Sequence, residues 1–367
     1  MNIYDIKSIN KNIYGRKRFP LKKARDYVES LINSFKKYYL ELGYKEELPL
    51  PISSGFDPSV VFIGSGISVL KPRLFAGTLS SPGYFIVQNC VRARNVNSLL
   101  DCSYTHMWGS YFTNLLLIAP PGRLRSTCNE TFDYFEHRLG IAPVNMLIHI
   151  NSADTDLMDI CMQRYGTKIL EIDTKEHIYY KHKIGVEGVI GRSFNLALRR
   201  PSSNEFCDIG NFIIHTYEDR QFFVEIGFGA STILKELYGL DHVQDCTPVI
   251  GLHVENEVIK RKFEDTIITC TVLFREGLRP FTRDNRNRIL KQYLRAMSYF
   301  RAKSGLSIKD LSQIISNFER MEFPKSSLHV TDDVIKSLQI AENDLLFKKN
   351  VSKNERIIRE TLRAIKI

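Results

Sequence analysis

Residues 194–229 read FNLALRRPSSNEFCDIGNFIIHTYEDRQFFVEIGFG, and this stretch decides the fold class. It contains three strand-like runs, at 194–198, 211–217 and 222–226, rich in β-branched and aromatic residues. Upstream, 112–118 is a continuous apolar run that fits a buried strand, and 145–150 reads as another. The short apolar stretches of 50–90, broken by Gly, Pro and Ser, read as strands and loops. Helical patterns fall at 21–42, 131–139 and 154–165. In the first, Ala24, Val28, Leu31, Ile32, Phe35 and Tyr39 recur at helical spacing before Gly43. Strand-rich stretches interleaved with a few helices indicate an α+β fold with an antiparallel sheet.

From about residue 256 the pattern turns helical. Within 286–302, Ile289, Tyr293, Ala296, Met297 and Phe300 form an apolar stripe. Arg288, Lys291 and Arg295, spaced by three and four, form a basic one on the same helix. The tail, 331–367, has helical composition. The expected boundary lies near residue 240, giving domains 1–240 and 241–367.

The chain has 367 residues and a net charge of +10. Much of that charge sits in two segments. Residues 1–27 hold eight basic and two acidic residues, and residues 279–303 hold eight basic and one acidic. Two basic segments on an otherwise mildly acidic chain point to a polyanion such as nucleic acid. No apolar run is long enough to span a membrane, and the N-terminus lacks the apolar stretch of a secretory signal. Seven widely spaced cysteines without a Cys-x-x-Cys pair read as reduced thiols of a cytoplasmic protein. The nine histidines fall singly, so no metal site is expected. No phosphate-loop motif is present, and Gly64-x-Gly66 lacks the third glycine of a dinucleotide fingerprint.

Three segments in register carry a resemblance. Asp57-Pro58-Ser59-Val60-Val61-Phe62, Gly66 and Lys71-Pro72 form the first. Gln88-Asn89-Cys90-Val91-Arg92-Ala93 is the second. Phe274, Gly277, Pro280 and Asn285-Arg286, followed by the basic helix, make the third. In order and spacing, across roughly 21–303, they resemble the catalytic and acceptor-stem domains of alanyl-tRNA synthetase, a class II aminoacyl-tRNA synthetase. The resemblance implies an antiparallel catalytic sheet flanked by helices, then a helical domain that receives the tRNA acceptor stem.

It also assigns residues. Arg92 matches the arginine that grips the α-phosphate of ATP, and Glu225 stands where the family has the aspartate that holds the substrate ammonium. These are the catalytic candidates. Asp208 and Asn211 match a Glu and an Asn on the adjacent strand. Gly227 and Gly229 match the two glycines that allow close backbone approach. Trp108, the only tryptophan, is a candidate stacking surface. Together with Glu225, these five form the candidate aminoacyl pocket. The glycine-rich 185–191 is a candidate border of it. On the nucleic-acid side, Asn285 and Arg286 match positions that approach the acceptor stem, and Arg288, Lys291 and Arg295 would contact phosphates. One further basic position of the family helix is Ala296 here.

Two motifs depart from the family. At 107–114 its arginine, both histidines and its glutamate are missing. In 227–232 the arginine that clamps ATP is Thr232. Losing a desolvated phosphate clamp costs roughly 10²-fold or more in rate. The first reading is therefore a tRNA-dependent aminoacyl transferase. Such a protein takes an already charged tRNA and passes the aminoacyl group to a small-molecule acceptor, with no cofactor, as synthetase-like proteins of specialised metabolism do. The second is a reduced synthetase or aminoacyl ligase that still uses ATP and Mg. The third is a non-catalytic tRNA-binding module.

Overall fold

The structure, a computed structural model, describes residues 21–175, 178–201 and 203–343. Most of the basic N-terminal segment and the end of the tail, 344–367, lie outside the described residues. The chain divides into two units. One comprises the chain up to Arg92 with Met107–Pro248, and the other comprises Ala93–His106 with the chain from Val249 onward.

The first unit is built on a sheet of nine strands among the described residues. They are β1 (Lys45–Glu47), β2 (Tyr84–Val91), β3 (Tyr111–Ala119), β4 (Met146–Asn151), β5 (Leu170–Asp173), β6 (Lys181–His182), β7 (Val189–Arg199), β8 (Phe206–Tyr217) and β9 (Arg220–Gly229). Their order is β1-β2-β3-β9-β8-β7-β4-β5, with β6 beside β7. The end pairs β1–β2 and β4–β5 are parallel and all other pairs antiparallel. The α+β class, an antiparallel-dominated sheet flanked by helices and followed by a helical region, is therefore as expected.

Alternation along the strands sorts the side chains onto two faces. Phe194, Leu196, Phe212, Ile214, Val224, Ile226 and Phe228 share one face and are almost wholly buried. That face packs with apolar residues of α1 (Ala24–Glu41), α3 (Leu124–Asp133) and α5 (Ala230–Tyr238). Phe132 of α3 stacks on Phe212 at 5.1 Å, and Phe212 on Phe194 at 4.5 Å. Burial of each such ring is worth about 1.5–3 kcal/mol. α2 (Ile67–Phe75) covers part of the opposite face. Its Ile67, Leu70 and Leu74 cluster with Ile86, Leu116 and Ile118. α4 (Thr155–Tyr165) follows β4.

Two expectations are corrected here. The region 50–90, expected to hold strands and loops, contains α2. Gly, Ser and the internal Pro72 obscure the helical spacing of its buried apolar residues Ile67, Val69, Leu70 and Leu74. The helix expected at 131–139 is α3, which starts at Leu124 and gives way to a π-turn over Tyr134–Arg138.

The second unit is helical: α6 (Glu257–Arg275), α7 (Asn285–Lys303), α8 (Ile308–Glu322) and α9 (331–343). Asn256, Asp284 and Ser307 cap the first three, each side chain accepting from a backbone N–H of the first turn. α6 packs on α7 and α8. Glu319 of α8, 2 % exposed, accepts from Val330 N, Thr331 N and Thr331 Oγ1 and pairs with Arg275, which ties α6, α8 and the start of α9 together. Lys262 of α6, 1 % exposed, donates to the carbonyls of Ser98 and Asp101, which holds the segment 93–106 in this unit.

Candidate functional site

The second face of the sheet is polar at its centre. Register places Asn195 opposite Asn211, Asn211 opposite Gly227, and Gly227 opposite Leu116. The next row is Ser193, Ile213, Glu225 and Ile118. Of the candidate pocket residues, the sheet thus brings together Glu225, Asn211 and Gly227, with Gly229 two residues further along the same face. A β-carbon on Gly227 would meet only Leu116 Cδ1 at 3.6 Å and Asn114 Nδ2 at 3.9 Å, so there is room above it.

Asp208 reaches this face through a bulge. Leu196 faces Gly210 but Ala197 faces Asp208, so Ile209 is an extra residue in β8. The insertion reverses the alternation and turns Asp208 to the side of Asn211. There Asp208 Oδ1 pairs with His149 Nδ1 at 2.9 Å, with Glu171 3.5 Å from the other ring nitrogen. The hydrogen bond to Asp208 raises the His149 pKa against the opposing effect of burial.

Glu225, 7 % exposed, pairs with His215, which is fully buried, at 2.8 Å between Oε2 and Nε2. Beside this pair runs a hydrogen-bonded chain. His182 Nε2 meets Ser193 Oγ at 2.9 Å, Ser193 donates to Asn195 Oδ1 at 3.1 Å, and Asn211 Nδ2 donates to the same oxygen at 2.6 Å. Burial lowers the His182 pKa. The glycine-rich 185–191 borders this site. Gly191 lies against His215, and Gly185 lies against Ser59, next to Lys71.

His215, His182, Ser193, Asn195 and His149 were not among the sequence candidates. Strand alternation puts His215 on the face of Asn211. Only the β8–β9 register brings it to Glu225.

Arg92 follows β2. Its Nε donates to Gly64 O at 2.7 Å, and its guanidinium lies over the Phe112 ring at 4.8 Å. Phe112 and Ile118, which faces Glu225, are six residues apart on β3, roughly 20 Å of strand. The two catalytic candidates therefore do not share a contact with one small group. Trp108, half exposed, lies on the segment entering β3. Thr232 is in the first turn of α5, with its hydroxyl filling the space where Gly229 lacks a side chain.

The Asp57 and Lys71 of the first motif are each other's partners. Lys71 Nζ donates to Asp57 Oδ2 at 2.6 Å and to Ser59 Oγ at 2.9 Å, and both charged residues are buried. Burial alone would raise the Asp57 pKa. Hydrogen bonds from Lys71, Ser68 and Ser59 outweigh it and hold the group at about 2.

In the second unit, Asp284 caps α7, so Asn285 and Arg286 open its first turn. Tyr293, Ala296, Met297 and Phe300 are buried as the apolar stripe requires, together with Leu290 and Leu294, while Ile289 is half-buried. Arg288 and Arg295 are exposed and make no ion pair among the described residues. Lys291 donates to Thr282 O at 3.2 Å. Two basic residues of 279–303 are taken up internally, Arg279 by Asp333 and Arg301 by Glu342. Among the described residues no group of three or more His, Cys, Asp or Glu is placed to hold a metal ion, and no helix is long and apolar enough to cross a membrane.

No protein-family model and no curated protein matches the chain. Solved structures do. A pyrrolysyl-tRNA synthetase of Desulfitobacterium hafniense matches with 12% identity over 59% of this chain and 71% of its own, at a TM-score of 0.37. The RNA-binding domain of threonyl-tRNA synthetase from Cryptosporidium parvum matches with 9% identity over 64% and 72%, at 0.42. Asparaginyl-tRNA synthetase of Pyrococcus horikoshii, complexed with asparaginyl-adenylate, matches with 11% identity over 62% and 68%, at 0.38. All three are class II aminoacyl-tRNA synthetases.

Proposed function

We propose that the protein is an alanyl-tRNA synthetase-like, tRNA-dependent aminoacyl transferase. The reading is carried by one contrast. Glu225 is a buried carboxylate beside an open glycine, suited to an ammonium group, whereas the position of the ATP-clamping arginine is Thr232. The charged tRNA docks its acceptor stem on α7, with Asn285 and Arg286 at the stem and Arg288, Lys291 and Arg295 on phosphates. Its aminoacyl end enters the polar face of the sheet. An acceptor N–H or O–H attacks the ester carbonyl carbon, the bond to the ribose oxygen breaks, and that oxygen takes the acceptor's proton. The ester is already activated, so no ATP is consumed. Domain 1–240 would hold the aminoacyl site and 241–367 the acceptor stem, in the cytoplasm.

The test is transfer from a pool of tRNA charged with radiolabelled amino acids, without ATP. The expected result is label moving from RNA to a small-molecule product. Failure to bind any charged tRNA would end the proposal. Glu225→Gln should lower transfer at least tenfold, whereas a non-catalytic tRNA-binding module would be indifferent to it.

Arg92 favours a second reading, an ATP-dependent synthetase or ligase. Thr232 opposes it, since a threonine hydroxyl cannot neutralise a phosphate. Amino-acid-dependent pyrophosphate exchange would support this second reading over the first.

A further inference from the structure

Glu225 has only half of its carboxylate open. Oε2 is held by His215 Nε2, and Oε1 has no partner among the described residues. The His215 ring has no freedom to leave. Phe223 stacks on it at 4.3 Å with 15° between the planes. At its edge is Gly191, where a β-carbon would come within 2.8 Å of both Nδ1 and Cε1. Nδ1 has no hydrogen-bond partner. A proton on Nδ1 would be a buried donor without an acceptor, whereas a proton on Nε2 is shared with the carboxylate. The network therefore assigns the Nε2–H tautomer.

The pair is a diagonal one. Glu225 faces Ile213 and His215 faces Phe223, so the two side chains must reach across the β8–β9 ladder. An aspartate at 225 would fall about 1.5 Å short. The methylene that distinguishes Glu225 from the family's aspartate is the length this contact needs.

We propose that His215 is a positioning residue: pinned between Phe223 and Gly191, it fixes Oε2 of Glu225 and leaves Oε1 to receive the α-ammonium of a bound aminoacyl group above Gly227. The proposal rests on the reading of Glu225 as the ammonium anchor. It adds that the anchor is a His–Glu unit, selective for a free amine over an acylated one.

The probe is a pool of tRNA charged with a mixture of amino acids, compared with the same pool after N-acetylation. The wild type should prefer the free-amine pool by about tenfold or more, the worth of one charge-assisted hydrogen bond. His215→Gln keeps an N–H donor and should retain that preference. His215→Met should lose it, binding the two pools alike. Gly191→Ala, which displaces the ring without altering its chemistry, should behave like His215→Met. A His215→Met protein that still discriminates overturns the role of His215 alone. A wild type without any preference takes down the ammonium reading of Glu225 and this proposal with it. A third measurement needs no folded variant. The ¹⁵N spectrum of histidine-labelled wild type should show His215 with its proton on Nε2, and a proton on Nδ1 would refute the proposal.

Discussion

Asp57 and Lys71 show at the scale of single residues how a motif can be legible without its physics. Both were recognisable from their places in the first motif, but that they bond each other depends on α2 folding back over the Asp57 loop. Buried at both ends, the pair is costly to break. Lys71→Met should destabilise the protein by about 3–5 kcal/mol in urea unfolding, because it strands a buried carboxylate. The acid limb follows from the sign of the shift. The Asp57 pKa is lowered in the folded state to about 2. Its contribution, about 2 kcal/mol, is present above the unfolded value near 4 and is lost as pH falls from there toward 2. Unfolding midpoints measured across that window should fall in the wild type, and this step should be missing from Asp57→Asn. His215 is the same lesson in the site itself. Its alternation with Asn211 could be read, but its partner could not.

At the scale of elements, β8 and α7 behave differently. α7 was legible because its two stripes repeat at 3.6 residues and are properties of one helix. Its buried stripe extends to Leu290 and Leu294, and Arg288 and Arg295 remain exposed. The double variant Arg288→Glu, Arg295→Glu should therefore leave the unfolding free energy nearly unchanged, within about 0.5 kcal/mol. It should weaken tRNA binding and reduce the slope of log affinity against log salt by about 2. An unchanged slope in filter binding would remove α7 from the nucleic-acid surface. β8 was legible only as a strand. The bulge at Ile209 decides which face Asp208 occupies, and one extra residue leaves no mark on an apolar–polar pattern that is itself irregular there. α2 was missed because Gly, Ser and Pro dominate its neighbourhood.

At the scale of the molecule, the apolar face of the sheet supplies the core and the polar face carries the candidate site. Phe212 sits in the middle of the stack with Phe132 and Phe194, so Phe212→Ala should cost about 3–5 kcal/mol, read as a lower unfolding midpoint. The net charge of +10 belongs to this scale as well. If three cations of α7 contact phosphates, as proposed, binding of tRNA by the full chain should weaken with salt with a slope of about −3 or steeper, and a flat dependence would contradict the tRNA reading. The sequence by itself determined the α+β class, the strand runs of 194–226, the two stripes of α7 and the identity of Thr232. These are local periodicities or single identities, which a chain carries whatever its fold. Only the tertiary structure decided that Glu225 meets His215, that Asp57 meets Lys71, and that Asp208 turns toward Asn211. Each depends on strand register or on packing between segments distant in the chain, and alternation fixes a side chain's face without fixing its neighbour.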